Sequence, residues 1–277
     1  MGYLTFTDKQ IEKYLERIGY QGTVTLTKET LDQIIYAHQC TVPFENLDVY
    51  DFHKTIYLDA EHLFEKLVLN HRGGYCFETN GLFFGMINSM GFDAYPCLCR
   101  VMFGVEEPKD HEIDHRASIV TVDGKKCFCE AGIGGAMPPG ALEIGEDHWQ
   151  LMHGEEFCTR TIEPGWYGTI RRLKPEHDIY DDWRHLRERL EIMFSMTPVH
   201  EVDYANLNFA LSQSPDSMFR QRRVVNLRTK NGYRALTDEV YREVIDGKRT
   251  ERKLAPEEIP ALLKEKFALD IREPLRF

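Results

Sequence analysis

No apolar run in the chain approaches the ~18 residues that a membrane-spanning helix requires. The longest, residues 81–87 with Phe83 and Phe84, is less than half of that. The start, Met1-Gly2-Tyr3-Leu4-Thr5-Phe6, lacks the basic and apolar regions of a secretory signal, and Phe6 stands where a myristoylation signal requires Ser or Thr. No membrane partner is expected. Positive charge is also in deficit, with 34 Lys+Arg against 45 Asp+Glu and a net charge of -11. Nucleic acid is therefore not an expected partner either. Cysteine is present in an odd number, seven, with no export signal. That argues against a disulfide framework and for reduced thiols in a cytoplasm, one of them free for chemistry.

What is present suffices for two domains or three small ones: 277 residues, 42% of them hydrophobic, without repeats or low-complexity stretches. Residues 1–92 read as helical, since Ile11, Tyr14, Leu15 and Ile18, then Leu31, Ile34 and Ile35, then Leu63, Phe64 and Leu67 recur three and four apart. Thr7 and Thr27 are the expected N-caps. From Tyr95 the period becomes two, and residues 117–122 and 126–130 flank Asp123-Gly124, a hairpin signal. Runs at 157–162 and 168–173 continue the β character, which predicts a small barrel or sandwich over 93–181. Residues 182–196 return to a helical period, followed by a strand pair around Asn231-Gly232 and a terminal helix over 257–267. The expected class is α+β in three parts, 1–92, 93–181 and 182–277.

The chemistry is expected at Arg72-Gly73-Gly74-Tyr75-Cys76, where a charged helix end gives way to an apolar helix over 81–90. Two glycines permit a tight turn, which puts the Cys76 thiol at a helix start, where the dipole and free N–H groups favour the thiolate or hold an oxyanion. A lone cysteine is otherwise a small buried apolar residue. A nucleophilic thiol needs a base and the base an orienting acceptor. His115 leads one hairpin strand and Glu130 ends the other, so the two can meet. Cys76, His115 and Glu130 are thus a candidate triad, although eleven histidines leave other choices open.

Two metal-like patterns compete. His111-Glu112-Ile113-Asp114-His115 matches H-E-x-x-H, but a β run follows at once and too few apolar residues surround it to bury a helix. Cys97-x-Cys99 and Cys127-x-Cys129 place thiols on one face of a strand, which reads as packing, not as a zinc site. No metal is expected. Residues 201–277 carry 15 basic and 13 acidic residues, leaving the acidic excess to the first 200. Within them Arg220, Arg222, Arg223, Arg228 and Lys230 are either a phosphate-binding cluster, with Arg220 and Arg223 as its candidates, or a solvated strand edge.

The blocks Val42-Pro43-Phe44-Glu45-Asn46-Leu47-Asp48, Arg72-Gly73-Gly74-Tyr75-Cys76-Phe77-Glu78-Thr79-Asn80-Gly81-Leu82-Phe83, His115, Glu130-Ala131-Gly132-Ile133-Gly134-Gly135 and Ser214-Pro215-Asp216-Ser217-Met218-Phe219 resemble the arylamine N-acetyltransferases, in that family's order. The resemblance implies a helical bundle, a β-barrel and an α/β lid with a cysteine-protease-like triad. It also implies a role in xenobiotic metabolism, with acetyl-CoA as donor and an arylamine or hydrazine as acceptor in a ping-pong transfer. Cys76 matches the nucleophile and His115 the base; Glu130 stands where the family usually has Asp. Gly132, Gly134 and Gly135 resemble the loop that admits the pantetheine arm, and Ile133 and Phe44 are the acceptor-pocket candidates. Arg72 and Glu45 read as a structural ion pair.

Two other readings keep part of this arrangement. A cysteine hydrolase or transglutaminase-like acyl transferase would use the same triad with water or lysine as acceptor. A catalytically weak protein would only hold CoA or an aromatic ligand, because Glu130 replaces Asp.

Overall fold

Thr7 caps the first helix, α1 (Asp8–Ile18): its hydroxyl accepts the Gln10 N–H, and Gln10 Oε1 takes the Thr7 N–H at 2.9 Å. Thr27 accepts the Thr30 N–H at the start of α2 (Lys28–Thr41). These helices, the short α3 (Leu47–Tyr50), α4 (Ala60–Phe64) with its π-helical continuation Glu65–Leu69, and α5 (Cys76–Ser89) precede the main sheet. The computed structural model describes residues 2–105, 107–108, 111–135, 137–174 and 187–276.

The apolar positions that set the helical period form one core. Tyr14, Ile18, Leu31, Ile34, Ile35, Leu63, Phe64 and Leu67 are buried together with Leu82, Phe83 and Met86 of α5. Each such side chain contributes about 1.5–3 kcal/mol on burial.

Eight antiparallel strands follow. They are β2 (Asp93–Val101), β3 (His115–Val122), β4 (Lys125–Cys129), β5 (Leu142–Glu143), β6 (Gln150–Met152), β7 (Glu155–Glu163), β8 (Trp166–Arg172) and β9 (Glu188–Ser195). Their order is β5-β4-β3-β2-β9-β8-β7-β6. Glu146, just past edge strand β5, bridges Thr159 in β7, so the sheet curls back and is nearly closed. Asp123 (φ 51°) and Gly124 (φ 75°) make the two-residue β3–β4 turn, as their dipeptide predicts.

The sheet buries its two faces differently. Cys97, Cys99, Ala117, Ile119, Phe128 and Phe194 fill one side, while Val120, Val122, Cys127 and Cys129 pack against the helical core. All four cysteines are free and buried. Both pairs therefore serve packing, but only the first packs inside the barrel.

The helical expectation for 182–196 fails. Residues 182–186 lie outside the described residues, and β9 occupies Glu188–Ser195 between β2 and β8. Arg189 and Glu191 are buried and paired at 2.9 Å, so charge occupies one face of the strand, while Leu190, Ile192 and Phe194 alternate on the other, a period of two that the helical reading missed.

The second sheet has the order β1-β10-β11-β12-β13, with β1 (Phe44–Glu45), β10 (Val224–Thr229), β11 (Gly232–Thr237), β12 (Val240–Ile245) and β13 (Lys248–Lys253). Between the sheets run α6 (Tyr204–Gln213) and α7 (Met218–Gln221). The terminal helix α8 (Ile259–Phe267) buries Ile259, Leu262, Leu263 and Phe267 against Leu227, Leu236 and Tyr241. Strand β1, from the helical segment, pairs with β10 of the last third, joining the start of the chain to its end.

Candidate active site

Cys76 is the first residue of α5, five residues before the apolar run that marks that helix in the sequence. The glycines ahead of it act by close approach, since neither has a positive φ. A Cβ on Gly73 would lie 2.2 Å from the Pro43 carbonyl. The Glu45 N–H in turn donates to the Gly74 carbonyl at 2.9 Å. The segment before the thiol is thus pressed against β1, and charge fastens it there. Arg72 Nε and Nη2 donate to Glu45 Oε1 at 2.9 and 2.6 Å, and Nη2 also reaches Asp48 at 3.2 Å.

Lys66, carried by the π-helical turn, donates to Asp48 and Glu78 at 2.7 Å each. Glu78 caps the start of α5, its Oε2 accepting the Tyr75 N–H at 3.1 Å. Burial pushes the Glu78 carboxyl up to about 7, against the pull of Lys66. Desolvation also opposes ionisation of Asp48, but Lys66 and Arg72 outweigh it and bring that carboxyl down to about 2.

The Cys76 S–H donates to the main-chain carbonyl of Asp114 at 3.6 Å, the residue before His115. His115 opens β3, and its Nε2 lies 3.4 Å from Glu130 Oε1, both side chains fully buried. Glu130 Oε1 also accepts the Gly132 N–H at 2.6 Å and Asn80 Nδ2 at 3.0 Å. Both ring nitrogens of His115, and Glu130 Oε2, have no hydrogen-bond partner among the described residues. Burial, reinforced by the Asp114 and Glu130 carboxylates, pushes the Cys76 thiol well up, while the N–H groups of Phe77 and Cys76 itself pull it down.

A family model described as N-acetyltransferase matches residues 27–276. The chain belongs to the arylamine N-acetyltransferase family. It is 28% identical to the arylamine N-acetyltransferase of Escherichia coli strain K12, over 94% of this chain and 89% of that one. It is 30% identical to a pineal gland isozyme of arylamine N-acetyltransferase from Gallus gallus, over 96% of each. The solved arylamine N-acetyltransferase of Salmonella typhimurium superposes with a TM-score of 0.85 at 25% identity, covering 97% of this chain and 94% of that one. The α+β class and the near-closed barrel agree with that neighbour, and the chain is an N-acetyltransferase enzyme.

In this N-acetyltransferase the loop after Glu130 is fitted closely to the site. A Cβ on Gly132 would meet Asn80 Nδ2 at 2.4 Å and Thr79 Oγ1 at 2.5 Å, and Gly134 (φ 68°) lies against the Asn226 carbonyl. Gly135 is less constrained, since a Cβ there would meet Ile133 at an ordinary 3.6 Å. Arg228 reaches the same loop, donating to the Gly135 carbonyl at 3.4 Å and to that of Met137. Phe44 shares a cluster with Cys76, Tyr75, Phe77, Tyr204 and Phe219, whereas Ile133 packs in the barrel interior with Phe128 and Phe194.

The basic cluster is largely spent on structure. Arg223 is buried, donating to both oxygens of Asp51 at 3.1 and 2.6 Å and to the Arg276 carbonyl. Arg228 is buried against Glu155 at 3.2 Å. Arg223 therefore does not present its guanidinium to a phosphate, because the buried Asp51 carboxylate needs it. Arg220 is partly exposed and donates to the Val49 carbonyl and His53.

Neither metal pattern forms a site. His111 sits at a bend and His115 in a strand, so they share no helix face. Among the described residues no cluster of three or more His, Cys, Asp or Glu could hold an ion, and no helix is long and apolar enough to cross a membrane. A cleft of about 920 Å³ opens beside Lys54, Tyr57, Lys66 and Arg72, and Cys76 does not line it. Its lysines and Arg72 are already ion-paired.

Asn80, Asp114 and the Glu155–Arg228 pair were not singled out in the sequence as functional. Asn80 had a signal, since it lies one helical turn after Cys76 on the same face of α5. It donates to the Arg116 carbonyl and Glu130 and accepts the Ala131 N–H at 2.9 Å. The Glu155–Arg228 pair, 73 residues apart, had none.

Proposed function

We propose that the enzyme moves an acetyl group from acetyl-CoA to the nitrogen of an arylamine or arylhydrazine through a thioester on Cys76. The observation that carries this reading is the buried His115–Glu130 contact at 3.4 Å, next to the residue that accepts the Cys76 S–H. With the Nε2 proton facing Glu130, His115 Nδ1 is the basic nitrogen and takes the thiol proton. The Cys76 sulfur attacks the thioester carbonyl, its C–S bond to CoA breaks, and the proton on His115 leaves with the CoA thiolate. An amine then attacks the acetyl-cysteine. The N–C bond forms as the S–C bond breaks, and the amine proton passes through His115 to the released Cys76 thiolate.

A neutral amine is needed for the second step, and arylamines, being weakly basic, are neutral at pH 7. The aromatic rings packed with Cys76, with Phe44 and Phe219 centroids 5.9 Å apart, favour an aromatic acceptor. Gly132, Gly134 and Gly135 are proposed to flank the pantetheine arm, Ile133 and Phe44 to border the acceptor, and Arg220 to contact a CoA phosphate. His115 opens β3, Glu130 follows β4 directly, Cys76 starts its helix and the basic residues of 201–277 lie in a third part; the three-part division is proposed as the functional one, with its second boundary moved from 181 to the end of β9 at Ser195, because that strand belongs to the barrel sheet. The reaction needs no metal, and the protein is proposed to work in the cytoplasm.

The test is CoA release from acetyl-CoA with and without an arylamine, against a Cys76→Ala control. The proposal expects a burst of CoA without acceptor, sustained turnover with it, and neither in the control. Equal release by the control would overturn it. A short-lived acetyl-enzyme in water alone would make the protein a hydrolase, and slow uniform alkylation of all seven cysteines would make it a ligand-binding protein.

A further inference from the structure

A second histidine touches the residue that accepts the nucleophile's S–H. The Cys76 S–H donates to the Asp114 carbonyl at 3.6 Å, and the Asp114 carboxylate opposes ionisation of that thiol. Among the described residues two contacts hold this carboxylate. Oδ1 accepts the Val101 N–H at 2.9 Å, at the end of β2, and Oδ2 meets His111 Nε2 at 3.0 Å. Asp114 also directly precedes His115, so the same anchorage sets where β3 begins. His111 and Asp114 are partly screened from solvent, their side chains 27% and 18% exposed. The residue whose main-chain carbonyl accepts the thiol S–H thus also carries a carboxylate whose charge impedes ionisation of that thiol, and an imidazole is set on the carboxylate.

We propose that His111 is a positioning residue for the transfer: as an imidazolium it neutralises Asp114 and so lets the Cys76–His115 pair reach its charge-separated form. This rests on the reading of Cys76 as nucleophile. His111 gains its proton easily, because the hydrogen bond to Asp114 raises its pKa, with help from the charges of Asp114 and Glu112 and against burial and Arg100. Arg100 is drawn the other way by Glu163 at 3.7 Å. The sign follows. Below the His111 pKa the cation is present and Asp114 is offset; as pH rises through it the cation is lost and thiolate formation becomes harder. The His111-Glu112-x-x-His115 pattern is then a relay across a strand start, with Asp114 between its two imidazoles, and not a pair of metal ligands.

The test is the pH dependence of Cys76 alkylation by iodoacetamide in the full chain, which reads thiolate formation without needing acetyl transfer. His111→Gln should raise the alkylation midpoint by about half to one pH unit, roughly 3–10-fold slower labelling at a fixed pH below it. Asp114→Asn, whose Oδ1 still accepts the Val101 N–H, should lower the midpoint, and adding His111→Gln to it should change nothing further. His111→Lys, a cation that does not titrate near neutrality, should keep the wild-type midpoint. A His111→Gln profile coincident with wild type overturns the proposal, as does an equal shift in the Asp114→Asn background. Either result leaves the Cys76 thioester standing, whereas acetyl transfer by Cys76→Ala would remove that thioester whatever the alkylation profiles show.

Discussion

Glu130 faces His115 and fastens the glycine loop with the same oxygen: Oε1 lies 3.4 Å from His115 Nε2 while accepting the Gly132 N–H at 2.6 Å. The extra methylene relative to Asp lets the carboxyl fold back onto the backbone two residues ahead and still face the imidazole. Asn80 Nδ2 closes the arrangement at 3.0 Å. The setting of His115 and the shape of the loop thereby meet at one atom.

Removing the charge should cost more than shortening the arm. Glu130→Gln keeps an acceptor for Gly132 and Asn80 but leaves the His115 imidazolium uncompensated, and kcat/KM should fall by about 10²–10⁴. Glu130→Asp keeps the charge but gives up reach, and should lose only about tenfold through misplacement. Steady-state kinetics of the two variants decides the order; equal losses would mean that charge is not what Glu130 supplies.

Gly132→Ala should damage stability and activity together. Its Cβ would lie 2.4 Å from Asn80 Nδ2 and 2.5 Å from Thr79 Oγ1, and both side chains are fixed by hydrogen bonds. An overpacking cost of about 1–3 kcal/mol is expected in denaturant titration. Gly135→Ala, whose Cβ meets only Ile133 at 3.6 Å, should leave stability nearly unchanged.

Arg72→Met should be strongly destabilising. It strands Glu45, whose side chain is fully buried and whose other oxygen is already given to the Leu47 N–H at 2.8 Å. A loss of about 3 kcal/mol is expected from leaving one buried charge unpaired. By contrast Lys253→Ala, at the mostly exposed pair with Glu239, should leave the urea midpoint where it is.

Glu78 supplies a pH signature. Burial raises its folded pKa to about 7, above its unfolded value, so the folded state holds the extra proton between about 4.5 and 7. Stability from this group is then highest at low pH and falls as pH rises through that interval. Glu78→Gln, which cannot ionise, should melt closer to or above wild type at pH 8 than at pH 5. A difference in melting temperature that does not change with pH would contradict the assignment.

Much of this was legible in the chain. Thr7 and Thr27 cap helices because short hydroxyl side chains reach the N3 amide whatever surrounds them, and Asp123-Gly124 turns because its backbone preferences are local. Residues 188–195 misled because the Leu190, Ile192 and Phe194 alternation is short and its other face carries the buried Arg189–Glu191 pair, which only the two sheet neighbours explain. Arg223 misled for a related reason: its partner Asp51 is 172 positions away, and only the fold reveals that the guanidinium is already used. Local geometry could be read from spacing, while the pairing of distant charges could not.

The most direct measurement is mass spectrometry of the protein after mixing with acetyl-CoA and no acceptor. The account predicts one acetyl group per chain, on the peptide containing Cys76, lost on addition of an arylamine as the acetylated amine forms. Acetylation at another residue, or an unmodified chain that still acetylates the amine, would contradict it.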